Sequence, residues 1–533
     1  MPRFSIVTPV YNPPREAFEH CVRTVLNQSF VDWEWCLAND ASPDDWVAPR
    51  LNELQRQDAR IRIVDREVNG GIVAASNDAI AISSGEFLVL LDNDDELHLD
   101  ALQLVASALD RDPDCDYLYS DENKITVEGM HFDAFLKPAW SPERLLAQNY
   151  TSHLSVLRRS VVEEVGRFRN GFDGSQDYDL VLRVIERARK VVHVPHVLYH
   201  WRSLPTSTAS AASAKPYAFA AALKAVSEHL ERTETPADVT EAGPSLSRVR
   251  RQLRRVPKLS VILPIDDTQH RIFGVETSLA SNALRSLSTL TSYNNYEIIL
   301  VIADYIDESF VSRLTSNLTQ SVNVVRVSGQ QTEGQLMNAG LVACNTRLAV
   351  LMSQRSEIID RQWLESLLGY HERDHVAMVA PFTTDSNGMT VSAGLGITPV
   401  PHDVGLGRHP SDLGPVGMFA IARECFGVRA DCALVQVGAL MSVGGFDPEY
   451  ETDMRDFDLA CKLNAVAQHA IVTPLARVIR HVELEQHELD SERFLSRWKR
   501  VVGNDRFTRI DTRLHQRSVT TATSPSSHHD AIV

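Results

Sequence analysis

A chain of 533 residues exceeds what one ordinary hydrophobic core encloses, and its length predicts roughly two to four domains. Hydrophobic residues make up 44% and charged residues 23%, a globular composition that excludes a fibrous or wholly disordered chain. The net charge of −17 argues against a broad nucleic-acid surface, and no apolar run approaches the roughly 18–20 residues needed to span a bilayer.

The first residues, MPRFSIVTPVYN, enter a strand-like pattern at once and lack the apolar stretch and cleavage site of a signal peptide. FSIVTPVY reads as a buried strand. EAFEHCVRTVLNQ follows with Phe18, Cys21, Val22, Val25 and Leu26 at helical spacing. WEWCLAND and RIRIVDRE read as strands, GIVAASNDAIAISS as a helix and EFLVLLDND as a strand. Strands alternating with helices predict an α/β fold with a doubly wound, mostly parallel sheet. Ligands bind such sheets beyond the carboxyl ends of the strands, where Thr8–Asn12, Asn39–Asp44 and Asp92–Asp95 fall. The seven cysteines are scattered without a C-x-x-C spacing, which suggests neither a disulfide framework nor a zinc site and makes a reducing cytoplasm the expected compartment.

The pattern then recurs. FSIVTPVYN resembles LSVILPIDD at 259–267, and WEWCLANDASPDD resembles YEIILVIADYIDE at 296–308. Asn77 matches Asn338 and Asp92 matches Ser353 at one common offset. SQDYDLVLRV matches MRDFDLACKL. Two copies of one domain are expected, over residues 1–202 and 258–515. Between them, 203–257 reads as a linker with one helix near Pro216 to Arg232, a Pro/Gly-containing loop and an arginine cluster. Residues 516–533 are polar and aperiodic and read as a disordered tail.

In LLDNDDEL the strand period sends Asp92 and Asp94 to one side. Carboxylates gathered at a strand end repel unless a cation sits between them, and Mg²⁺ or Mn²⁺ takes oxygen ligands, often shared with phosphates. A solvated turn before a helix is the ordinary alternative. For Asp177 and Asp179 that alternative is a helix N-terminus, where carboxylates favour the dipole.

The succession TPVYN, NDASPDD, NGGIVAASNDA, LDNDDEL and SQDYDLVLRV resembles the inverting family-2 glycosyltransferases of the GT-A fold, over roughly residues 4–202. KPAWSPERLLAQNYTSHLSVLRRS and VPHVLYHWR bring it nearest to bacterial enzymes that build O-antigen and other surface polysaccharides. The resemblance implies that Pro9, Tyr11 and Asp40 line the nucleotide base pocket. It implies that Asn69, Gly71 and Asn77 lie beside the nucleotide, and that Asp92 meets the ribose. Asp94 would hold Mg²⁺ or Mn²⁺ on the diphosphate, with His200 completing its shell, and Asp177 would be the general base. The partners implied are a UDP-, dTDP- or GDP-sugar and a glycan or polyprenyl-diphosphate-linked acceptor, with peripheral contact at the inner membrane as an option. Asn39 and Gln176 depart from the acidic residues frequent at their positions. Arg202 reads as a phosphate partner or an exposed arginine, and Trp140 as a sugar platform or a core residue. The cluster Arg248, Arg250, Arg251, Arg254 and Arg255 reads mainly as a solvated linker face, with anionic lipid or a lipid-linked diphosphate as the alternative.

The second copy keeps the apolar skeleton and changes the strand end to Ser353-Gln354-Arg355. An arginine there repels a divalent cation. Asp456 stands at the base position and His481 is expected where His200 lies. The second copy is read as a degenerate domain that packs, binds acceptor glycan or recruits a partner. The rival readings are a bifunctional enzyme with both domains active and a sugar-nucleotide-binding scaffold without turnover.

Overall fold

The computed structural model describes residues 1–203, 216–485, 487–510 and 512. The expected tail and the opening of the linker at 204–215 lie outside the described residues.

The first sheet begins with β1 (Phe4–Val10), β2 (Trp33–Asn39), β3 (Ile61–Asp65), β4 (Phe87–Leu90) and the short β5 (Glu96–Leu97). It is completed by β6 (Cys115–Ile125), β7 (His131–Phe135), β8 (Ser155–Arg158) and β9 (Lys190–Arg202). The order is β3-β2-β1-β4-β8-β6-β9-β5, with β7 paired to β6. β1 runs parallel to β2 and β4, and β8 runs antiparallel to both β4 and β6. β2 is buried along its whole length because both faces of the sheet are covered. The side chains alternate accordingly. Phe4, Ile6, Trp33, Trp35, Leu37 and Val89 pack with Phe18, Val22, Leu51 and Leu102 on one face. Val7, Cys36, Ala38 and Leu88 pack with Val73, Ala79, Tyr178 and Leu180 on the other.

The second sheet repeats this order strand for strand: Val322–Val327, Tyr296–Ala303, Leu259–Pro264, Leu348–Met352, Cys432–Gln436, Val376–Thr384, His469–Arg480 and Ser356–Ile358. The parallel and antiparallel senses also repeat. One polar contact recurs as well. Asn77 donates to Phe168 O at 2.9 Å and accepts from Phe168 N at 3.1 Å, and Asn338 makes the same pair with Phe446 at 2.8 and 2.9 Å. The shared asparagine clamps a helix to the turn ahead of the second acidic motif.

The linker differs from its expectation. Its helix runs Pro216–Arg232, but an antiparallel hairpin, Ala237–Gly243 with Leu246–Arg251, replaces the loop. Leu246 packs against Ala147 and Ile421, so the hairpin is a wedge between the two sheets' domains. Arg251 corrects the solvated-face reading. Its guanidinium is 6% exposed and bonds Glu143 at 2.6 and 2.8 Å, while Arg373 of the second domain reaches the same carboxylate at 2.6 Å. Five apolar residues, two of them alanines, spread over the fifteen of 237–251 leave too weak a period-two signal for sequence to call this hairpin. Among the described residues no helix is long and apolar enough to cross a membrane.

Candidate active site

The loop Asp92–Asp95 leaves β4 and turns into β5. Its most buried member, Asp95, accepts 2.5 Å from the Tyr199 hydroxyl and 2.7 Å from the Arg202 backbone. Tyr199 in turn accepts from Asp92 N at 3.3 Å. Asn93 Nδ2 donates to Pro9 O at 3.0 Å, which ties the loop to the end of β1. Arg202 is neither exposed nor free for a phosphate, which corrects both sequence readings. It is 2% exposed, bonds Asp94 O at 2.9 Å and Thr126 O at 3.2 Å, and pairs with Glu96. Arg202 and Tyr199 thus staple the loop from beneath, and Asp92 and Asp94 stay half-buried on its open side.

Burial, with Asp92 as a neighbouring like charge, pushes the Asp94 carboxyl up to about 6. A cation between the two would relieve that repulsion. Among the described residues no group of three or more His, Cys, Asp or Glu side chains could hold a metal ion on its own. The donor set therefore fits a hard cation that takes most of its oxygens from a bound diphosphate. His200 lies on the adjacent strand, paired with Glu96, and its Nδ1 is 2.7 Å from Asn123 Oδ1. Its ring sits 4.6 Å from that of His131 and 6.4 Å from that of His98. Burial and these two rings push His200 down to about 4, so it is neutral near pH 7.

At the ends of β1 and β2, Tyr11 is 51% exposed and Pro9 half-buried. Asp40 is 2% exposed. Its two oxygens each accept at 2.8 Å, from Gly70 N and Gly71 N, and Arg66 Nε lies 2.9 Å away. Gly71 opens the helix Gly71–Ala81 at φ +80, a left-handed value that favours glycine. Asn69 donates to Asp40 O at 3.3 Å. The structure thus gives Asp40 the task of holding the helix entry in place. Asn39, whose role the sequence left open, donates to Asp65 at 2.9 Å and accepts from Ser42 N at 3.1 Å. Asn77 faces away to its clamp on Phe168.

Asp177 stands in the first turn of the helix Gln176–Ile185 and accepts 2.9 Å from Asn149 Nδ2. Burial raises its pKa above the ordinary carboxylate value, Asp92 adds to the rise, and His153 and the Asn149 hydrogen bond oppose it. Asn149 belongs to the segment whose His153 stacks on Tyr199, and Tyr199 in turn bonds Asp92 N and Asp95, which links the base candidate to the strand-end loop. Asp179 is excluded as a second base, because it is fully buried and ion-paired with Arg169 at 2.6 Å and Arg183 at 2.8 Å. Trp140 is half-buried and packs against the core on the side of Tyr178 and Leu180. Sequence reasoning missed Asn149, His153 and Tyr199 as site residues. His153 stacks on Tyr199 with centroids 4.5 Å apart and planes 9° apart. The segment QNYTSH carried no motif spacing of its own.

At the equivalent strand end of the second domain the cleft is filled by ion pairs. Arg355 meets Glu333 and Glu485, both at 3.1 Å. Arg480 meets Asp431, and Asp453 at 2.9 Å. Arg429 binds Asp403 at 2.6 Å and Asp456 at 3.3 Å. Gln354 holds Asp266 at 2.7 Å. Asp456 is 2% exposed beneath this network. The strand register corrects the expectation for His481. Glu357 pairs with Ile479 as Glu96 pairs with His200, so Ile479 takes the place of His200 and His481 that of Arg202. Consistently, His481 bonds Glu357 at 2.6 Å, as Arg202 bonds Glu96.

The first domain is a doubly wound, mixed α/β sheet with Asp92 and Asp94 following β4, the arrangement expected of the GT-A fold that the sequence resembles. Residues 5–166 match the family Glycosyl transferase family 2, and the first domain is a domain of that family. The chain is 32% identical over 513 residues to the uncharacterized protein y4gI of Sinorhizobium fredii, covering 94% of this chain and 55% of that protein. It is 29% identical over 501 residues to the O-antigen biosynthesis protein RfbC of Myxococcus xanthus, covering 90% of this chain and 37% of that protein. The chain thus spans about half or less of the length of these relatives. Among solved structures, S. aureus TarS 1–349 in complex with UDP-GlcNAc aligns with 43% of this chain and 66% of its own, at 18% identity and a TM-score of 0.37.

Proposed function

We propose that the first domain transfers a sugar, with inversion, from a nucleotide-sugar donor to a hydroxyl of a growing bacterial surface glycan. The observation that carries this reading is a domain matching family 2 over residues 5–166 in which Asp92 and Asp94 follow β4 and Asp177 is linked to that loop through Asn149, His153 and Tyr199. Inversion needs the acceptor hydroxyl activated on one face of the sugar and the diphosphate stabilised on the other. Asp177, ionised and oriented by Asn149, accepts the proton of the acceptor hydroxyl as its oxygen attacks the anomeric carbon. The bond to the diphosphate breaks on the opposite face, towards Asp92 and Asp94. A divalent Mg²⁺ or Mn²⁺ ion held by Asp94, with His200 at the same sheet edge, would neutralise charge on the leaving diphosphate. Asp92 takes the ribose, Tyr11 and Pro9 the base, and Asn69, Gly71 and Asp40 the helix entry beside it. The similarity of the O-antigen biosynthesis protein RfbC over 90% of this chain supports an O-antigen-like acceptor.

The second domain takes no part in chemistry on this reading, because its counterpart cleft is closed by arginine–carboxylate pairs and Asp456 is buried among them. The bifunctional and scaffold readings are decided by one experiment. The full-length protein is given UDP-, dTDP- and GDP-sugars with Mg²⁺ or Mn²⁺, and release of the nucleoside diphosphate is followed with and without acceptor glycan. Acceptor-dependent release that Asp177→Asn removes supports the reading. Donor binding without release under any condition leaves only the scaffold.

A further inference from the structure

We propose that residues Asp505–Arg509 of the second domain brace the acceptor side of the first domain's cleft, with Arg509 and Lys137 as positioning residues for Asp177. The proposal rests on the transferase reading above for its catalytic consequence, and on geometry alone for the brace.

The starting point is a fully buried ammonium. Lys137 is 0% exposed, and a charge so placed costs several kcal/mol unless its hydrogens are all engaged. It donates to Glu122 at 2.8 Å, to Thr151 O at 3.3 Å and to His153 O. The last two are backbone carbonyls of the segment that presents Asn149 to Asp177 and stacks His153 on Tyr199. The lysine therefore fixes the shape of that segment rather than filling a core.

Beside it lies Asp121, also 0% exposed, which accepts from Lys137 N at 2.9 Å and His193 Nε2 at 2.9 Å. Its remaining partner comes from the far end of the chain. Arg509 Nη1 donates to both Asp121 oxygens, at 2.8 and 2.6 Å, and to Lys137 O at 3.3 Å. Burial works to raise the Asp121 carboxyl, yet the bonds from His193 and Arg509 hold it below the usual carboxylate range. A second crossing contact runs from Ala139 N to Arg506 O at 2.7 Å.

The strap is itself anchored in the second domain. Asp505 accepts from Phe507 N at 2.8 Å, Thr508 N at 2.9 Å and Ile397 N at 3.3 Å, and its own N–H donates to Thr398 at 3.1 Å. Phe507 is 6% exposed, with its ring 5.5 Å from that of His469. The strap is thus hydrogen-bonded to the second domain at Asp505, and four residues along its backbone Arg509 is hydrogen-bonded to Asp121 and Lys137, whose ammonium holds the segment 149–153. This gives a domain without chemistry of its own a direct mechanical hold on the base.

The test uses full-length Arg509→Ala and Arg509→Lys. Backbone hydrogen exchange is followed over 137–154 and over β1–β4, beside donor KM, kcat and its pH profile. The brace predicts faster exchange confined to 137–154 in Arg509→Ala, with β1–β4 unchanged. It predicts kcat lower by about tenfold with donor KM unchanged, because a small misplacement of a catalytic group acts on turnover. The acid limb of kcat shifts, and Arg509→Lys recovers part of each effect. Unchanged exchange over 137–154 overturns the brace, as does a rise spread evenly over the first domain. Local loosening with unchanged kcat and pH profile overturns the positioning role. If the wild-type protein transfers no sugar, the transferase reading fails, while the exchange arm still decides the brace.

Discussion

Asn149 Nδ2 donates a 2.9 Å hydrogen bond to Asp177 Oδ2, which steadies the ionised form of the proposed base against its burial. A hydrogen bond to the charged form favours that form, so Asn149→Ala raises the Asp177 pKa further. Since the ionised carboxylate is the active form, the acid limb of the kcat profile moves to higher pH. An unmoved limb would separate Asn149 from the base.

Asp177→Asn keeps the shape of the helix turn and loses the proton acceptor. Turnover falls by roughly 10²–10⁴-fold, the usual contribution of general-base catalysis, while donor affinity measured by calorimetry stays near wild type. Near-normal turnover would require a different base, and Asp179 does not qualify because Arg169 and Arg183 already occupy it.

Asp94 is pushed up to about 6, with burial as the main cause and Asp92 next. A cation binds the ionised carboxylate and displaces its proton, so affinity for Mn²⁺ in the presence of UDP weakens as pH falls below about 6, by up to about tenfold per unit. Asp94→Ala removes the pH dependence together with the affinity. Calorimetry at several pH values reads both. Affinity flat from pH 5 to 7.5 in the wild type would exclude Asp94 as a ligand.

The second domain carries no independent activity on the present reading. The full-length Asp94→Ala/Asp177→Asn protein, assayed with excess donor and acceptor, shows no transfer. Residual transfer that disappears on adding Asp456→Asn would reveal a second, metal-independent active site beneath the arginine network.

Glu143 joins the linker hairpin to the second domain through Arg251 and Arg373. Glu143→Ala leaves the buried Arg251 guanidinium without its carboxylate, which costs about 3–5 kcal/mol by analogy with other broken buried pairs. Calorimetric unfolding should show a lower midpoint and two separated transitions where the wild type shows coupled unfolding. A shift equivalent to under about 1 kcal/mol would mean the pair is worth no more than an exposed one.

The sequence by itself determined the layered fold and its duplication. The strand and helix periods of FSIVTPVY, WEWCLAND and GIVAASNDAIAISS are local properties, and the same apolar skeleton written twice produced two sheets of one strand order. It also determined which carboxylates stand at strand ends, because a strand of known direction carries its last polar residues to the ligand side. Only the tertiary structure decided which of those polar groups are spent. Arg202 is a staple, Asn77 a clamp and Arg251 a tie from the linker to the first domain, because each meets a partner brought in from a distant segment, while Asp179 is taken by Arg183 one turn on and by Arg169. Partner choice for a long polar side chain depends on three-dimensional proximity and on the cost of leaving a buried charge unpaired, and neither is written in local spacing. The same reason hid Asn149, His153 and Lys137, whose roles exist only where segments far apart in the chain close on Asp177.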